Sequence, residues 1–309
     1  MSNQENLIKA FQEDPRLQSL VAGWQEKTGA VHTLTGLVGS MESMILAASY
    51  LQNPRTFLVV AEDKEAAAYL QNDLSGLLQP KIIRFFPDSF KRPMQFEALN
   101  QNNVLLRTET VNRISLAGEE GEIIIAYPEA LFEQVVSPEE LEANRLFVKV
   151  GEDLDVDTVI SLLGEFGFRQ EEFVYEPGQF AIRGGIIDIF SYGNEYPYRI
   201  ELFDEEVESI RHFDPMNQLS VREIRQVSIV PNINSRFNRE QKLPLFDILP
   251  EGSVVWIRDY QWTIDKLQEC FEKAESFADK LSKSEEEDLA ELFRDRAFIR
   301  PGAVLESLE

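Results

Sequence analysis

Short apolar segments alternate with longer amphipathic ones over the first 135 residues, and this alternation limits the possible folds more than any other feature of the chain. The apolar segments have the length of strands, and the segments between them have helical periodicity. The predicted strands are residues 30–34, 56–60, 82–86 and 122–126, and the predicted helices follow Gly39 and cover 64–77 and 104–116. Apolar strands separated by helices indicate a parallel sheet covered on both faces. We therefore expect an α/β architecture of the nucleotide-binding type.

The middle of the chain has a different pattern. Short alternating strands and tight turns replace the apolar strands, and Gly184-Gly185 has the composition of a two-residue hairpin turn. The α/β pattern returns near the C-terminal end, where residues 253–257 read as a strand. We predict a parallel-sheet domain in two parts, residues 1–138 and 234–309, with an inserted α+β domain of antiparallel strands at 139–233.

The segment after the first predicted strand has the outline of a phosphate-binding loop without its chemistry. Such a loop reads G-x-x-x-x-G-K-[ST], because backbone N–H groups and a lysine hold phosphates while a hydroxyl holds magnesium. Gly36 and Ser43 fit this pattern, but Met41 and Glu42 stand in place of the second glycine and the lysine. We interpret the segment as a nucleotide site that has lost its nucleotide.

A plain strand-to-helix turn is the alternative interpretation of the same segment. Gly36 and Gly39 would then form the turn, and Ser40 would cap the following helix. The strands on either side favour a nucleotide-type loop, but the incomplete motif leaves the plain turn open.

The charge composition limits the classes of partner. Asp and Glu together number 54 and Lys and Arg 30, which gives a net charge of −24. Nucleic-acid affinity comes mainly from Lys and Arg that neutralise phosphates, so this balance argues against broad nucleic-acid binding. An acidic surface most simply keeps a protein soluble and monomeric. We expect no membrane span, since the chain has no uninterrupted apolar stretch of about 18 residues.

Few residues are suited to metal binding or nucleophilic catalysis. Cys270, the single cysteine, cannot form an internal disulfide, and its helical context favours a core position in a reducing cytoplasm. His32 and His212 are the two histidines, and neither has metal-ligand or nucleophile spacing. An unrelated α/β enzyme is therefore poorly supported. We predict no metal site and no catalytic residue, and the polar N-terminus predicts no leader peptide.

One strand of the middle region predicts a face suited to protein binding. In the strand pattern that ends at Phe203, the period of two places Arg199, Glu201 and Phe203 on the face away from the core. Arg183 joins this face if its hairpin strand pairs nearby, and Ala181 would also point outward. An exposed aromatic beside arginine is typical of a binding hot spot. The alternative is that Phe203 covers a second small core while the arginines pair with surrounding carboxylates.

The same region resembles a known module. Residues 181–190, AIRGGIIDIF, and 196–211, YPYRIELFDEEVESIR, are similar to the signature of the UvrB-like module, which occurs in UvrB and in bacterial transcription-repair coupling factors. The resemblance extends to Phe86-Pro87-Asp88 and to residues 127–131, so it covers most of the chain. It implies a degenerate P-loop/RecA-like (helicase-type) parallel-sheet domain with an inserted antiparallel domain.

Two members of that family differ in their nucleotide motifs. UvrB keeps an intact loop and a tyrosine-rich hairpin that inserts into DNA, whereas this chain has Glu42 in the loop and no tyrosine between Asp88 and Gly121. Arg258-Asp259 stands where a helicase carries Asp-Glu. The resemblance is therefore to the coupling factors, and it implies no catalysis in this chain.

The resemblance also implies a partner and the residues that bind it. The module recruits the repair protein UvrA through two arginines and a phenylalanine, which correspond to Arg183, Arg199 and Phe203. RNA polymerase and DNA binding, and the use of ATP and Mg²⁺, belong to other domains, so this chain ending at Glu309 is expected to be an N-terminal fragment without a cofactor. The alternative is an ATP-dependent UvrB-like damage-verification protein, which would bind nucleotide at residues 36–43.

Overall fold

The computed structural model describes residues 3–26, 31–78, 82–91, 96, 100–115, 121–192, 194, 196–232, 242–281, 298–299 and 302. The helices are α1 Asn3–Gln12, α2 Pro15–Glu26, α3 Met41–Gln52, α4 Lys64–Leu77, α5 Gln101–Ser115, α6 Pro128–Phe132, α7 Pro138–Ala143, α8 Val156–Glu165 and α9 Tyr260–Leu281. The strands are β1 Phe57–Val60, β2 Ile83–Phe85, β3 Ile123–Ala126, β4 Val135–Val136, β5 Leu146–Lys149, β6 Arg169–Gln170, β7 Gln179–Arg183, β8 Ile186–Phe190, β9 Tyr198–Phe203, β10 Glu206–Phe213, β11 Ser220–Ile224, β12 Gln226–Ile229, β13 Lys242–Leu243 and β14 Val254–Ile257.

A four-stranded parallel sheet forms the core of the first region, in the order β14-β1-β3-β2. Every residue of β1 and β3 is buried, as expected for central strands that are covered on both faces. Phe57 pairs with Ile123 on one side and with Val254 on the other, so strands from both ends of the chain meet in one sheet. The predicted parallel-sheet α/β domain is confirmed.

One predicted strand of this sheet is wrong. Residues 31–38 form no strand and are almost entirely exposed, and Val31 is 91% exposed; Ala30 lies outside the described residues. β1 already has a neighbour on each side, so a further strand would have to pair with an edge strand. Residues 31–35 offer only Val31 and Leu34 as bulky apolar side chains, too few to hold a strand there.

The two N-terminal helices pack against α3 and extend the apolar core. A small cluster joins α1, α2 and α3 through six buried side chains: Ile8, Leu17, Leu20, Val21, Met44 and Ala48. Trp24 connects this cluster to the sheet, since its ring lies edge-on to Phe57 at a centroid distance of 5.7 Å. The helix predicted after Gly39 is confirmed, and it begins at Met41.

The middle region folds around a six-stranded sheet in the order β11-β10-β9-β8-β7-β6. Its strand pairs are antiparallel except β6 with β7. α8 contributes Val159 and Leu163 to a buried cluster with inward side chains of the strands, among them Ile187, Ile200 and Ile210. The inserted α+β domain of antiparallel strands is therefore confirmed as a class of structure.

Two short strand pairs lie where the chain leaves and re-enters the first region. β4 pairs with β13 and β5 pairs with β12, both antiparallel. The predicted boundary at 138/139 falls at the start of α7, and the boundary at 233/234 lies outside the described residues. Both boundaries stay predictions.

Candidate protein-binding site

The β7-β8 hairpin places the first predicted site residue. The strands are joined by the two-residue turn Gly184-Gly185, as predicted, and Gly184 has a left-handed φ of +59°. Gly185 lies directly against β9, because a Cβ there would come within 2.8 Å of the Leu202 carbonyl oxygen. The Leu202 N–H donates to the Gly185 carbonyl oxygen at 2.7 Å. Arg183, the last residue of β7, is thereby fixed beside Ile186 of β8.

The alternation predicted for β9 is confirmed. Tyr198 and Ile200 are buried in the cluster beneath α8, whereas Arg199 and Glu201 lie half-buried on the opposite face. Phe203 ends the strand and is 71% exposed. A large aromatic side chain is thus presented to solvent at the β9-β10 turn, on the face that carries the arginines.

Asp188 lies at the centre of this face and connects the two arginines. It is completely buried, and strand pairing sets it opposite Ala181 on one side and Arg199 on the other. Arg199 donates to both of its oxygens, with Nε 2.7 Å from Oδ1 and Nη2 2.8 Å from Oδ2. Arg183 Nη2 donates to the same Oδ2. We call Arg183, Asp188 and Arg199 the arginine pair site.

Arg199 has further fixed contacts. Its Nη1 donates to the Gln218 carbonyl oxygen at 3.2 Å, and its Nη2 lies 3.3 Å from Gln218 Oε1. The Cζ atom lies 4.4 Å from the centroid of the Phe213 ring, within the range of a cation–π contact. Hydrogen bonding to Asp188 raises the pKa of Arg199, which therefore stays fully charged.

Arg183 is held less completely and is more exposed. Its Nη1 donates to the Glu172 carbonyl oxygen at 2.9 Å, and its Cζ atom lies 5.1 Å from the centroid of the Phe173 ring. One third of its side chain is exposed, against 16% for Arg199. Arg183 therefore offers more of its guanidinium to an approaching group.

The structure corrects the predicted direction of Ala181. It also bears on the alternative in which Phe203 covers a second small core and the arginines pair with carboxylates. Ala181 was predicted to point outward to solvent, but it is buried in a second small core with Val174, Phe190 and Phe213. The arginines do pair with a carboxylate, as the alternative expected. Phe203 does not cover this second core, because it remains largely exposed.

Sequence reasoning missed Asp188 as part of the site. A signal was present, since Asp188 interrupts the apolar strand pattern Ile186-Ile187-Asp188-Ile189-Phe190. A carboxylate in such a position must be paired when the strand is buried on both faces. Which residue pairs with it depends on strand register, and the sequence alone does not give that register.

The predicted nucleotide loop is separate from the arginine pair site. Gly36 and Gly39 have φ of +78° and +59°, and Ser40 precedes α3 without a side-chain capping hydrogen bond, so the predicted Ser40 cap is wrong in that respect. At the start of α3, Met41 is the first helical residue, and the Ser43 hydroxyl donates to Asp73 Oδ2 at 3.0 Å.

Glu42, at the lysine position of the motif, makes two contacts with β14 and the residue that follows it. Trp256 Nε1 donates to Glu42 Oε1 at 3.0 Å, and Arg258 Nε lies 3.4 Å from Glu42 Oε2. An acidic side chain thus stands where a phosphate-binding lysine would be, and a cation faces it from the end of β14. The contacts of Glu42 thus connect the start of α3 to the end of β14.

Other candidate chemistry is sparse in the described part of the chain. Cys270 is buried in α9, and burial raises the pKa of its thiol to about 12, so it is an unreactive core residue. His212 lies in β10, whereas His32 lies in the exposed segment that forms no strand. Within the described ranges, no group of three or more His, Cys, Asp or Glu side chains could hold a metal ion. Every helix within the described residues is too short or too polar to cross a membrane.

Known proteins match both the inserted domain and most of the chain. The UvrB interaction domain family matches residues 146–234, which include the arginine pair site and Phe203. The transcription-repair-coupling factor of Bacillus subtilis is 28% identical over 249 residues, which cover 80% of this chain and 21% of that protein. The Staphylococcus epidermidis protein of the same name is 35% identical over 226 residues, covering 70% of this chain and 18% of that protein.

A third relative, the transcription-repair-coupling factor of Staphylococcus aureus, is 31% identical over 224 residues, which cover 72% of this chain and 19% of that protein. The chain thus spans about a fifth of the length of the curated relatives it matches. Its α/β core with an inserted antiparallel sheet is consistent with the UvrB-like fold. The chain therefore belongs to the family of UvrB-like modules of the transcription-repair coupling factors.

Proposed function

We propose that this chain recruits the excision-repair protein UvrA to stalled RNA polymerase in the cytoplasm, by presenting a surface like that of UvrB. The observation that carries the proposal is that Arg183 and Arg199 meet at Asp188 on one face of the inserted sheet, to which strand alternation also assigns the exposed Phe203. The match of residues 146–234 to the UvrB interaction domain supports it, because these residues lie within that range.

The contacts of the two arginines suggest different roles in this binding. Arg199 is largely committed to Asp188 and Gln218, whereas Arg183 keeps more N–H groups free of the contacts described above. Arg183 would make charge-assisted hydrogen bonds to carboxylates of UvrA, and Phe203 would supply apolar burial at the centre of the contact. Arg199 would offer a smaller part of its guanidinium to carboxylates of UvrA, because most of its N–H groups already have acceptors.

Nucleotide hydrolysis has no part in this function. The carboxylate of Glu42 at the lysine position would repel phosphate, which supports a scaffold without ATPase activity. This chain would correspond to the N-terminal part of a longer protein. The other parts of that protein would use ATP and Mg²⁺ and would bind RNA polymerase and DNA. An active UvrB-like ATPase would instead give measurable heat when the chain is titrated with Mg-ATP.

The proposal is tested by capture of purified UvrA on the immobilised chain. We expect the parent to retain UvrA and Arg183→Glu to lose most of the binding. Phe203→Ala should weaken binding at least tenfold, since truncation of a buried aromatic anchor typically costs about 2 kcal/mol or more. Arg199→Glu should also abolish binding, but it would leave Asp188 buried beside a second carboxylate, so its folding must be checked by thermal unfolding.

Two matched substitutions control for general surface effects. Tyr69→Ala removes an aromatic that is 72% exposed on α4, and Arg113→Glu reverses an exposed charge on α5. Both should bind UvrA as the parent does. Failure of the parent to bind UvrA would remove the proposed function, and unchanged binding by all three folded site variants would remove the proposed site.

A further inference from the structure

Asp188 is placed to set the geometry of both guanidinium groups. Its carboxylate is completely buried in the middle of β8, and the neighbouring strands β7 and β9 bring Arg183 and Arg199 to it from opposite sides. Oδ2 accepts from both arginines, while Oδ1 accepts from Arg199 Nε at 2.7 Å. One carboxylate thus fixes the separation of two cations.

Each guanidinium also has a second support that limits its rotation. Arg199 lies over the Phe213 ring and donates to the Gln218 carbonyl oxygen. Arg183 lies over the Phe173 ring and donates to the carbonyl oxygen of Glu172, the preceding residue. A long side chain that is ordered before binding loses less conformational entropy when a partner arrives. Asp188 is the contact that the two ordered side chains share.

We propose that Asp188 is a positioning residue, which holds Arg183 and Arg199 at the spacing that receives the carboxylates of the partner protein. This inference rests on the proposed function, because it concerns the same surface. Asp188 itself is buried and does not touch the partner. It acts through the order that it imposes on the two arginines.

Asp188→Asn separates this positioning role from simple electrostatics, because the two predict opposite changes in affinity for the partner. The substitution removes a negative charge from beside the arginines, so Coulomb attraction to partner carboxylates should increase. Loss of positioning should weaken binding instead, because the amide keeps one acceptor oxygen and places an NH2 donor beside the arginine N–H groups in place of the other oxygen. The weakening should appear as faster dissociation, while the association rate is unchanged or faster.

The test measures association and dissociation rates of UvrA on the parent chain, Asp188→Asn and Glu223→Gln. Glu223 lies on the exposed edge strand β11, opposite Arg211 in register, so Glu223→Gln removes the same charge from the same sheet without touching the arginine pair site. We expect dissociation about tenfold faster for Asp188→Asn, from the loss of order in two side chains, and unchanged dissociation for Glu223→Gln. Equal dissociation rates for all three proteins would overturn the positioning role.

A double-mutant cycle shows whether Asp188 acts through the arginines. If it does, Asp188→Asn costs several-fold less in an Arg199→Ala background than in the parent. Additive losses would mean that Asp188 does not act through Arg199, and would overturn the inference. If Asp188→Asn does not fold, NMR relaxation of the Arg199 Nε–H group in the parent decides: a freely rotating guanidinium contradicts the proposal.

The outcomes also distinguish this inference from the proposed function. Parent chain that fails to bind UvrA removes both. Parent chain that binds UvrA, together with Asp188→Asn that dissociates equally slowly, removes only the positioning role and leaves the recruiting surface in place.

Discussion

Arg107 is completely buried in the first region, and main-chain carbonyl groups accept hydrogen bonds from both of its Nη atoms. Its Nη1 donates to the carbonyl oxygens of Pro87 and Ala130, each at 2.9 Å, and its Nη2 donates to that of Glu133 at 3.0 Å. The Cζ atom lies 4.2 Å from the centroid of the Phe86 ring. A single side chain of α5 thus satisfies backbone acceptors before α5 and around α6. Burial lowers the pKa of this guanidinium. Its Nη–H groups are nevertheless the donors on which the three carbonyl oxygens depend.

Arg107→Met is expected to lower the free energy of unfolding by about 3 kcal/mol or more, because it leaves several buried carbonyl groups without donors. Urea unfolding followed by circular dichroism measures the loss. Arg113→Met, at an exposed position of the same helix, should change stability by less than about 0.5 kcal/mol. Equal stability of the two variants would contradict the structural role of Arg107.

Asp88 gives the first region a pH dependence whose sign can be worked out. Burial raises the pKa of this carboxyl, and nearby Glu133 adds to the rise, while the Tyr127 hydrogen bond and the charges of Lys64 and Arg107 oppose it. A carboxyl with a raised pKa binds its proton more tightly in the folded state than in the unfolded state. It therefore favours folding below its unfolded pKa, and this contribution is lost as the pH rises through the folded pKa.

Asp88→Asn should therefore gain stability relative to the parent as the pH rises above about 4, the range in which the unfolded carboxyl ionises. The amide oxygen can still accept from the Tyr127 hydroxyl, so the substitution keeps that hydrogen bond. Denaturant unfolding of both proteins between pH 4 and pH 7 checks the prediction. A constant difference in stability across this range would show that Asp88 has the same pKa in both states.

At the scale of elements, α3 and the end of β14 are joined by a pair of opposite charges. Glu42 in the first turn of α3 accepts from Trp256 and faces Arg258 at 3.4 Å. An acidic side chain is also favourable at a helix N-terminus. The pair joins two segments that are far apart in sequence.

Glu42→Lys should lower the free energy of unfolding by about 1 kcal/mol, because it replaces attraction with repulsion at a partly exposed pair. The double variant Glu42→Lys/Arg258→Glu should recover part of that loss. Denaturant unfolding of the parent, both single variants and the double variant gives the coupling energy. Strict additivity would mean that the two side chains do not interact in solution.

The β7-β8 turn requires glycine at its second position for close approach rather than for backbone freedom. Gly185→Ala is expected to destabilise the inserted domain by roughly 1–3 kcal/mol, because its Cβ would collide with the Leu202 carbonyl oxygen. Gly184→Asn is the matched control, since asparagine tolerates a left-handed φ and no atom lies within 4 Å of a Cβ at that site. Thermal unfolding of both variants tests this, and equal losses would contradict it.

Several elements could be predicted from the sequence because a local pattern determines them. β1, β3 and β14 of the parallel sheet are continuous apolar runs, and the two-residue turn at Gly184-Gly185 fixes the β7-β8 hairpin. The strand expected at residues 30–34 is wrong because β1 already has a neighbour on each side, and residues 31–35 offer too few bulky apolar side chains to pair at an edge of the sheet. Burial of Ala181 and the pairing of Asp188 likewise depend on neighbouring strands, which period-two alternation does not identify.

At the scale of the whole molecule, the site presents cations on a chain with a net charge of −24. We expect no measurable binding of this chain to duplex DNA at about 150 mM salt, because a strongly acidic protein is repelled by phosphates. Fluorescence anisotropy of a labelled duplex checks this. Binding that weakens steeply with added salt would reveal a basic patch that the overall charge conceals.

The parallel pairing of β1 with β14 has a consequence for synthesis on the ribosome. Phe57 lies beside Val254 in the sheet, and the whole inserted domain is encoded between them. During translation, the central sheet therefore waits for its last strand while the hairpins from β7 to β11 have already emerged. Domains generally fold as units in the order in which they are made, and local pairings form faster than distant ones. The nascent chain should thus complete the six-stranded sheet of the inserted domain before the parallel sheet of the first region.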